Sequence, residues 1–150
     1  MDETSIYNYK LLTKDMASGG QPSEDELGYI VKAGYSAVIN LGLHNSDYSI
    51  SKEASFFKDN NVTYIHIPVI FDAPKEKDLD DFTKALSQYK DSKVFIHCAA
   101  NKRVSVLIAL YRILTLDWST DKAMKELNTV WQPNEVWQSF ISQQLTRHCS

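Results

Sequence analysis

The stretch K-V-F-I-H-C-A-A-N-K-R-V-S, residues 93–105, decides how the chain is read. Val94, Phe95 and Ile96 form a short apolar run of strand type, with His97 and Cys98 at its end. After the small residues Ala99, Ala100 and Asn101 come Lys102, Arg103 and an apolar-periodic segment from Val104 to Leu116. This is the pattern of a strand, a tight loop and a buried helix. Such a loop aims successive backbone N–H groups at one centre in front of a helix N-terminus, whose partial positive charge favours an anion. A thiol at that mouth stands where a thiolate is stabilised, and the thiolate is the form that attacks. Arg103 adds a planar fork of donors matched to phosphate oxygens. From the residues alone the expected chemistry is an anion pocket with a built-in nucleophile.

His97-Cys98, a short loop, an arginine and then Ser105 resemble the phosphate loop of the cysteine-dependent protein tyrosine and dual-specificity phosphatases. The resemblance implies Cys98 as nucleophile, Arg103 with the loop amides of Ala99, Ala100, Asn101 and Lys102 as the phosphate clamp, and His97 as the residue that orients the loop and keeps the thiolate ionised. It also implies that Asp72, in F-D-A-P one strand and one helix before the cysteine, is the acid that protonates the leaving oxygen. Ser105 would help expel the thiolate from the phosphocysteine intermediate, or else bond back within the first helical turn. Ser18-Gly19-Gly20-Gln21-Pro22-Ser23 resembles the turn before the first helix in a bacterial branch of these proteins, which would bring Gln21 near the pocket; on its own it reads as a plain helix start.

The loop departs from the family pattern in length. The family has one residue more between cysteine and arginine than the Ala99, Ala100, Asn101 and Lys102 present here. Aligned without a gap, Asn101 falls where a glycine is usual, Ser105 matches the hydroxyl residue, and Val104 occupies the arginine's place. One position on a helix turns a side chain by ~100° and moves it ~1.5 Å, so either the loop is tightened or Arg103 approaches differently. Asn101 suits both, because Asn tolerates positive φ. Two further readings stay open: a catalytically weak or inactive relative that only binds phosphate, and a rhodanese-like sulfurtransferase, whose loops are shorter.

Composition narrows the classes. The chain has 150 residues, 43% of them hydrophobic, which suits a single domain with one ordinary core. A formal charge of −3 argues against a nucleic-acid partner, so a phosphorylated protein or small molecule must be attracted locally, by the loop. Cys98 and Cys149 are the cysteines, and a free reactive thiol suits a reducing compartment rather than a disulfide. The N-terminus lacks the apolar core of a signal peptide, and no run approaches the ~18 apolar residues of a membrane span. The expectation is cytoplasmic, without a membrane partner. Cys98, His97 and His66 lack the spacing of a zinc set, and neither metal nor cofactor is expected.

The remaining signals outline the fold. Ser23 and Glu26 form a capping box opening a helix that Gly34 closes. Ala37–Leu41 and Val62–Val69 read as strands. In the second, His66 faces opposite to Ile65 and Ile67 as a packed or partly exposed histidine. Residues 51–59, with Phe56 and Phe57 inward, residues 78–89, 120–130 and 135–145 read as helices, the last with Val136, Phe140 and Ile141 inward. Trp131 and Trp137 read as core anchors, and His44 and Asp47 as solvated loop residues. The expected architecture is α/β: a mainly parallel central sheet flanked by helices, phosphatase-like, in a single domain. Residues 1–17 would form an edge segment and residues 146–150 a frayed tail.

Overall fold

The computed structural model describes residues 2–148. Its centre is a five-stranded sheet of β1 (Lys10–Thr13), β2 (Met16–Gly19), β3 (Ala37–Asn40), β4 (Thr63–His66) and β5 (Val94–His97), in the order β1-β2-β5-β3-β4. All neighbouring pairs are parallel except β1 with β2. The strand carrying the cysteine is therefore central, flanked by β2 and β3, so its side chains are buried on both faces.

Side-chain alternation along β5 sorts the two faces. Val94 and Ile96 face a core built with α3 (Glu76–Gln88), α4 (Lys102–Leu114), α5 (Thr120–Leu127) and α6 (Glu135–His148). Phe95 faces a smaller core with Leu27 and Ile30 of α1 (Glu24–Lys32) and Phe57 of α2 (Glu53–Asp59). By the period of two, His97 belongs to the α1/α2 side. Val38 and Tyr64 face that same smaller core, so Asn40 and His66, two residues further along their strands, point the same way.

The expected α/β architecture is present, with several local differences. Met16–Gly19 is a strand, where the sequence suggested an edge segment running into a turn. Its small residues carry little strand propensity, and pairing with both β1 and β5 makes it one. The capping box is complete, Glu26 N–H donating to Ser23 Oγ at 3.2 Å and Ser23 N–H to Glu26 Oε1 at 2.9 Å. Gly34 closes α1 with φ +89°. β4 ends at His66 because Pro68 has no N–H, yet Ile67 and Val69 still donate to Asn40 and Leu41.

In α6 the inward stripe is Trp137, Phe140, Ile141 and Gln144. Val136 sits one helical step off that stripe and is 41% exposed, which corrects its expected inward placement. The helix also continues through residues 146–148, where a frayed tail was expected, and Arg147 there pairs with Glu76 and Asp80. Cys149 lies outside the described residues. No helix among the described residues is long and apolar enough to cross a membrane.

Candidate phosphate-loop site

The loop after β5 is held from outside by its carbonyls. Gln21 N–H donates to Ala99 O at 3.0 Å and the Asn8 amide to Ala100 O at 3.0 Å. A peptide whose carbonyl is tied outward presents neighbouring N–H groups to the other side. Gly20 makes the approach possible, since a Cβ there would stand 2.6 Å from Ala99 O. Asn101 adopts φ +66°, in the left-handed region that favours glycine. Its amide donates to Asn8 O at 2.9 Å and to Ser18 Oγ at 3.0 Å, which locks the turn against the β1–β2 side.

Directly after Asn101, α4 begins at Lys102 with no side-chain cap and no acidic residue in its first turn. Ser23 and Ser119 cap α1 and α5, so the first amides of those helices have partners of their own. The first amides of α4 have no intrahelical acceptor and are left for an anion. Cys98, the residue after β5, leads into this loop; it is 1% exposed, counted with the larger core, and free of any disulfide.

Arg103 lies on the first turn of α4 and is 6% exposed. It donates through Nη1 to Val69 O at 2.8 Å and through Nη2 to the Tyr48 hydroxyl at 3.3 Å. Its guanidinium lies against the rings of Tyr48 and Phe71. Burial works to raise the Tyr48 pKa, but bonds from Leu43 N–H, Ser46 and Arg103 outweigh it and lower the phenol below its ordinary value. Val104, in contrast, is fully buried in the larger core. Of the two registers left open by the sequence, the arginine's place at residue 104 is a core position.

Asp72 is exposed on the turn closed by Ala73 N–H to Ile70 O. The turn is pinned from behind: Trp137 Nε1 donates to Phe71 O at 2.8 Å, and Phe71 packs against both Trp131 and Trp137. Ser105 Oγ donates to Lys102 O at 2.7 Å and accepts from Trp131 Nε1 at 3.1 Å, which is the back-bonded arrangement. Lys102 is exposed, with its ammonium over the Trp131 ring.

On the α1/α2 side the strand ends carry polar residues. His97 Nε2 meets Glu53 Oε2 at 2.5 Å, and Gln21 Nε2 donates to Glu53 Oε1 at 2.8 Å. Burial raises the Glu53 pKa, yet the charge and hydrogen bond of His97 and the Gln21 bond together bring it below the ordinary carboxylate value. Asn40 donates to the Tyr64 hydroxyl at 2.9 Å, and His44 Nε2 lies 3.0 Å from it. Burial, with Glu53 nearby, pushes the Tyr64 phenol up to about 12, so it stays neutral.

His66 stacks on His44 at 3.6 Å between ring centres, and its Nε2 lies 2.6 Å from Gly42 O. Burial is the main cause of a lowered His66 pKa, and His44 adds to it, against the raising effect of Gly42 O. The unfolded chain therefore takes up the proton first. His66 contributes stability that is present above ~6.5, its ordinary value, and lost as pH falls below it. His66→Gln is expected to flatten the slope of Tm against pH between 6.5 and 5; a slope equal to the wild type's would show that other groups carry it.

Sequence reasoning grouped His97, Cys98, the loop and Arg103; in the structure the His97 side chain meets Glu53 on the α1/α2 side, Cys98 is counted with the larger core, and Arg103 bonds Val69 O and the Tyr48 hydroxyl. Gln21 lies at the loop rather than serving only as a helix start. His44 is exposed as expected but is also stacked and bonded. Glu53, Tyr48 and Asn8 were missed. Only Glu53 left a signal, lying four residues before the inward Phe57 and so on the buried face of α2.

Comparison with known proteins places these observations in a family. A family model described as "DSP-PTPase phosphatase fused to NAD+ Kinase" matches residues 6–143. No curated protein matches the sequence. A putative phosphatase (DUF442) from Shewanella putrefaciens CN-32 is 25% identical, covers 97% of this chain and 95% of its own, and superposes with a TM-score of 0.84. The core catalytic domain of the PP-IP phosphatase SIW14 from S. cerevisiae, in complex with citrate, is 19% identical, with coverage of 91% and 85% and a TM-score of 0.73. P. aeruginosa TpbA, in complex with pTyr, is 16% identical, with coverage of 85% and 74% and a TM-score of 0.66. The chain belongs to the family of DSP-PTPase phosphatases related to those fused to NAD+ kinase, within the cysteine-dependent tyrosine and dual-specificity phosphatases.

Proposed function

We propose that the chain hydrolyses phosphate monoesters through a phosphocysteine on Cys98. The observation that carries this is the start of α4: an uncapped helix N-terminus without acidic residues, reached from Cys98 through a loop whose Ala99 and Ala100 carbonyls are bonded to Gln21 and Asn8. In the first step the Cys98 thiolate attacks phosphorus and the leaving oxygen takes a proton from Asp72. In the second, water attacks the phosphocysteine, Asp72 takes its proton, and the thiolate departs. The loop amides and Arg103 hold the equatorial oxygens, whose charge needs fixed donors throughout. His97 supports the loop, and Ser105 holds the first turn of α4 through Lys102 O.

Of the proteins of similar fold, one is described as a PP-IP phosphatase and another was crystallised with pTyr. For this chain the substrate class is a phosphorylated protein or small molecule. One observation favours a phosphate-binding domain without turnover instead: the Arg103 fork already bonds Val69 O and the Tyr48 hydroxyl. Hydrolysis of a generic aryl phosphate over pH 4.5–8 separates the two, with thiosulfate and cyanide run in parallel for sulfur transfer. Turnover by the wild type supports the proposal; phosphate protection of Cys98 from alkylation without turnover supports the alternative.

Asp72→Asn gives a graded test. A general acid contributes roughly 10²–10⁴-fold, and most where the leaving group is basic. The expected loss is about 10²-fold with an alkyl phosphate and much less with nitrophenyl phosphate. Equal losses on both substrates would remove Asp72 from the acid role.

A further inference from the structure

The pair of Glu53 and His97 is not required by packing. A carboxylate 2% exposed and an imidazole fully buried cost desolvation that apolar side chains would not. Glu53 is one of the few charged groups taken into the interior, and it meets the residue preceding the nucleophile. Both nitrogens of the His97 ring face acceptors. Nε2 lies 2.5 Å from Glu53 Oε2, and Nδ1 lies 3.4 Å from Cys98 O. A neutral imidazole has one N–H and would leave one of these contacts lone pair to lone pair, whereas the imidazolium donates to both. With both protons on the ring the pair is neutral overall but oriented, the carboxylate lying in α2 and the imidazolium beside the Cys98 peptide.

We propose that Glu53 is a positioning residue that holds a proton on His97 and, through it, favours the thiolate of Cys98. The inference rests on Cys98 being the nucleophile, as proposed above, and adds to it where the supporting charge originates. Gln21 completes the arrangement. Its side chain fixes the second Glu53 oxygen while its backbone N–H holds Ala99 O, so one residue ties the carboxylate and the loop to a common frame. The other titratable groups around the pair are His44 and His66, whose charges act on Glu53 or His97, and Tyr64, on which the Glu53 charge acts. His44 is exposed and His66 half-buried, and Tyr64 stays neutral over the range tested.

The test is the pH dependence of Cys98 alkylation by iodoacetamide, followed by mass spectrometry of the Cys98 peptide so that Cys149 does not contribute. Glu53→Gln keeps the shape and one hydrogen bond to Nε2 while removing the charge. The midpoint of the alkylation profile is expected to rise by about one pH unit, within the range that a nearby charge produces. In a His97→Asn background the same substitution is expected to leave the midpoint where His97→Asn alone puts it, because Glu53 acts through His97. An unmoved midpoint in Glu53→Gln, or an equal shift with and without His97, overturns the inference. Should Glu53→Gln fail to fold, Glu53→Asp, which keeps the charge but withdraws it from Nε2, is expected to move the midpoint the same way by less. Alkylation needs no turnover, so the outcome is independent of aryl phosphate hydrolysis. Turnover with an unmoved midpoint sinks only the role of Glu53, and a moved midpoint without turnover sinks only the hydrolase.

Discussion

Cys98→Ser is expected to lower phosphate release from an aryl phosphate by at least ~10⁴-fold, the scale on which an enzyme loses rate when its covalent nucleophile is removed. A serine hydroxyl in the same place has a pKa far above the working range, and α4 offers it no general base. Its neighbour His97 is already bonded to Glu53 through Nε2. The proposed anion site should survive, because the groups assigned to it are backbone amides and Arg103. The Ser variant is therefore expected to bind inorganic phosphate or vanadate within a few-fold of the wild type while turning over nothing. Stopped turnover with retained binding separates a lost nucleophile from a collapsed loop. Residual turnover above ~1% of wild type would mean that phosphorus is attacked by some other group, most simply water.

The part of this site legible in sequence is the part contiguous in sequence. Strand, loop and α4 follow one another from Val94 to Leu114, and the cysteine, the positive-φ asparagine and the arginine could be read as a unit. The parallel sheet was legible for the same reason: the strands alternate with amphipathic segments whose periods are local. What stayed hidden depends on pairing across the chain. β2 has four small or flexible residues and becomes a strand only because β1 and β5 flank it. Tyr48 lies in an irregular loop, and nothing local connects it to an arginine fifty-five positions away. Glu53 looked like one more charged residue on a short helix. Its burial follows from sharing a face with Phe57, and its partner follows from the strand alternation that sends His97 to the α1/α2 side. Both rules were available, but joining them needs the knowledge that α2 covers the end of β5.

Arg103 is where the proposed clamp meets its strongest test. Arg103→Ala is expected to lower kcat/KM by about 10²–10³-fold, the usual cost of removing one preorganised donor set from a developing oxyanion. Arg103→Lys should recover little, since a single ammonium cannot span two phosphate oxygens and also reach Val69 O and the Tyr48 hydroxyl. The informative double substitution moves the arginine to the place it would hold in a loop of the usual length. In Arg103→Ala with Val104→Arg, the new guanidinium starts from a fully buried position in the core of α3–α6. Among the described residues the buried carboxylate is Glu53, on the α1/α2 side, and an unpaired buried charge costs several kcal/mol. The double variant is expected to lose stability and to regain no activity, leaving kcat/KM at or below that of Arg103→Ala. Recovery to near wild-type rates would show that residue 104 reaches the phosphate, and that the loop accepts the longer register. Failure to recover, with Arg103 alone supporting turnover, would mean that this loop closes around phosphate with one residue fewer, the left-handed turn at Asn101 taking up the slack.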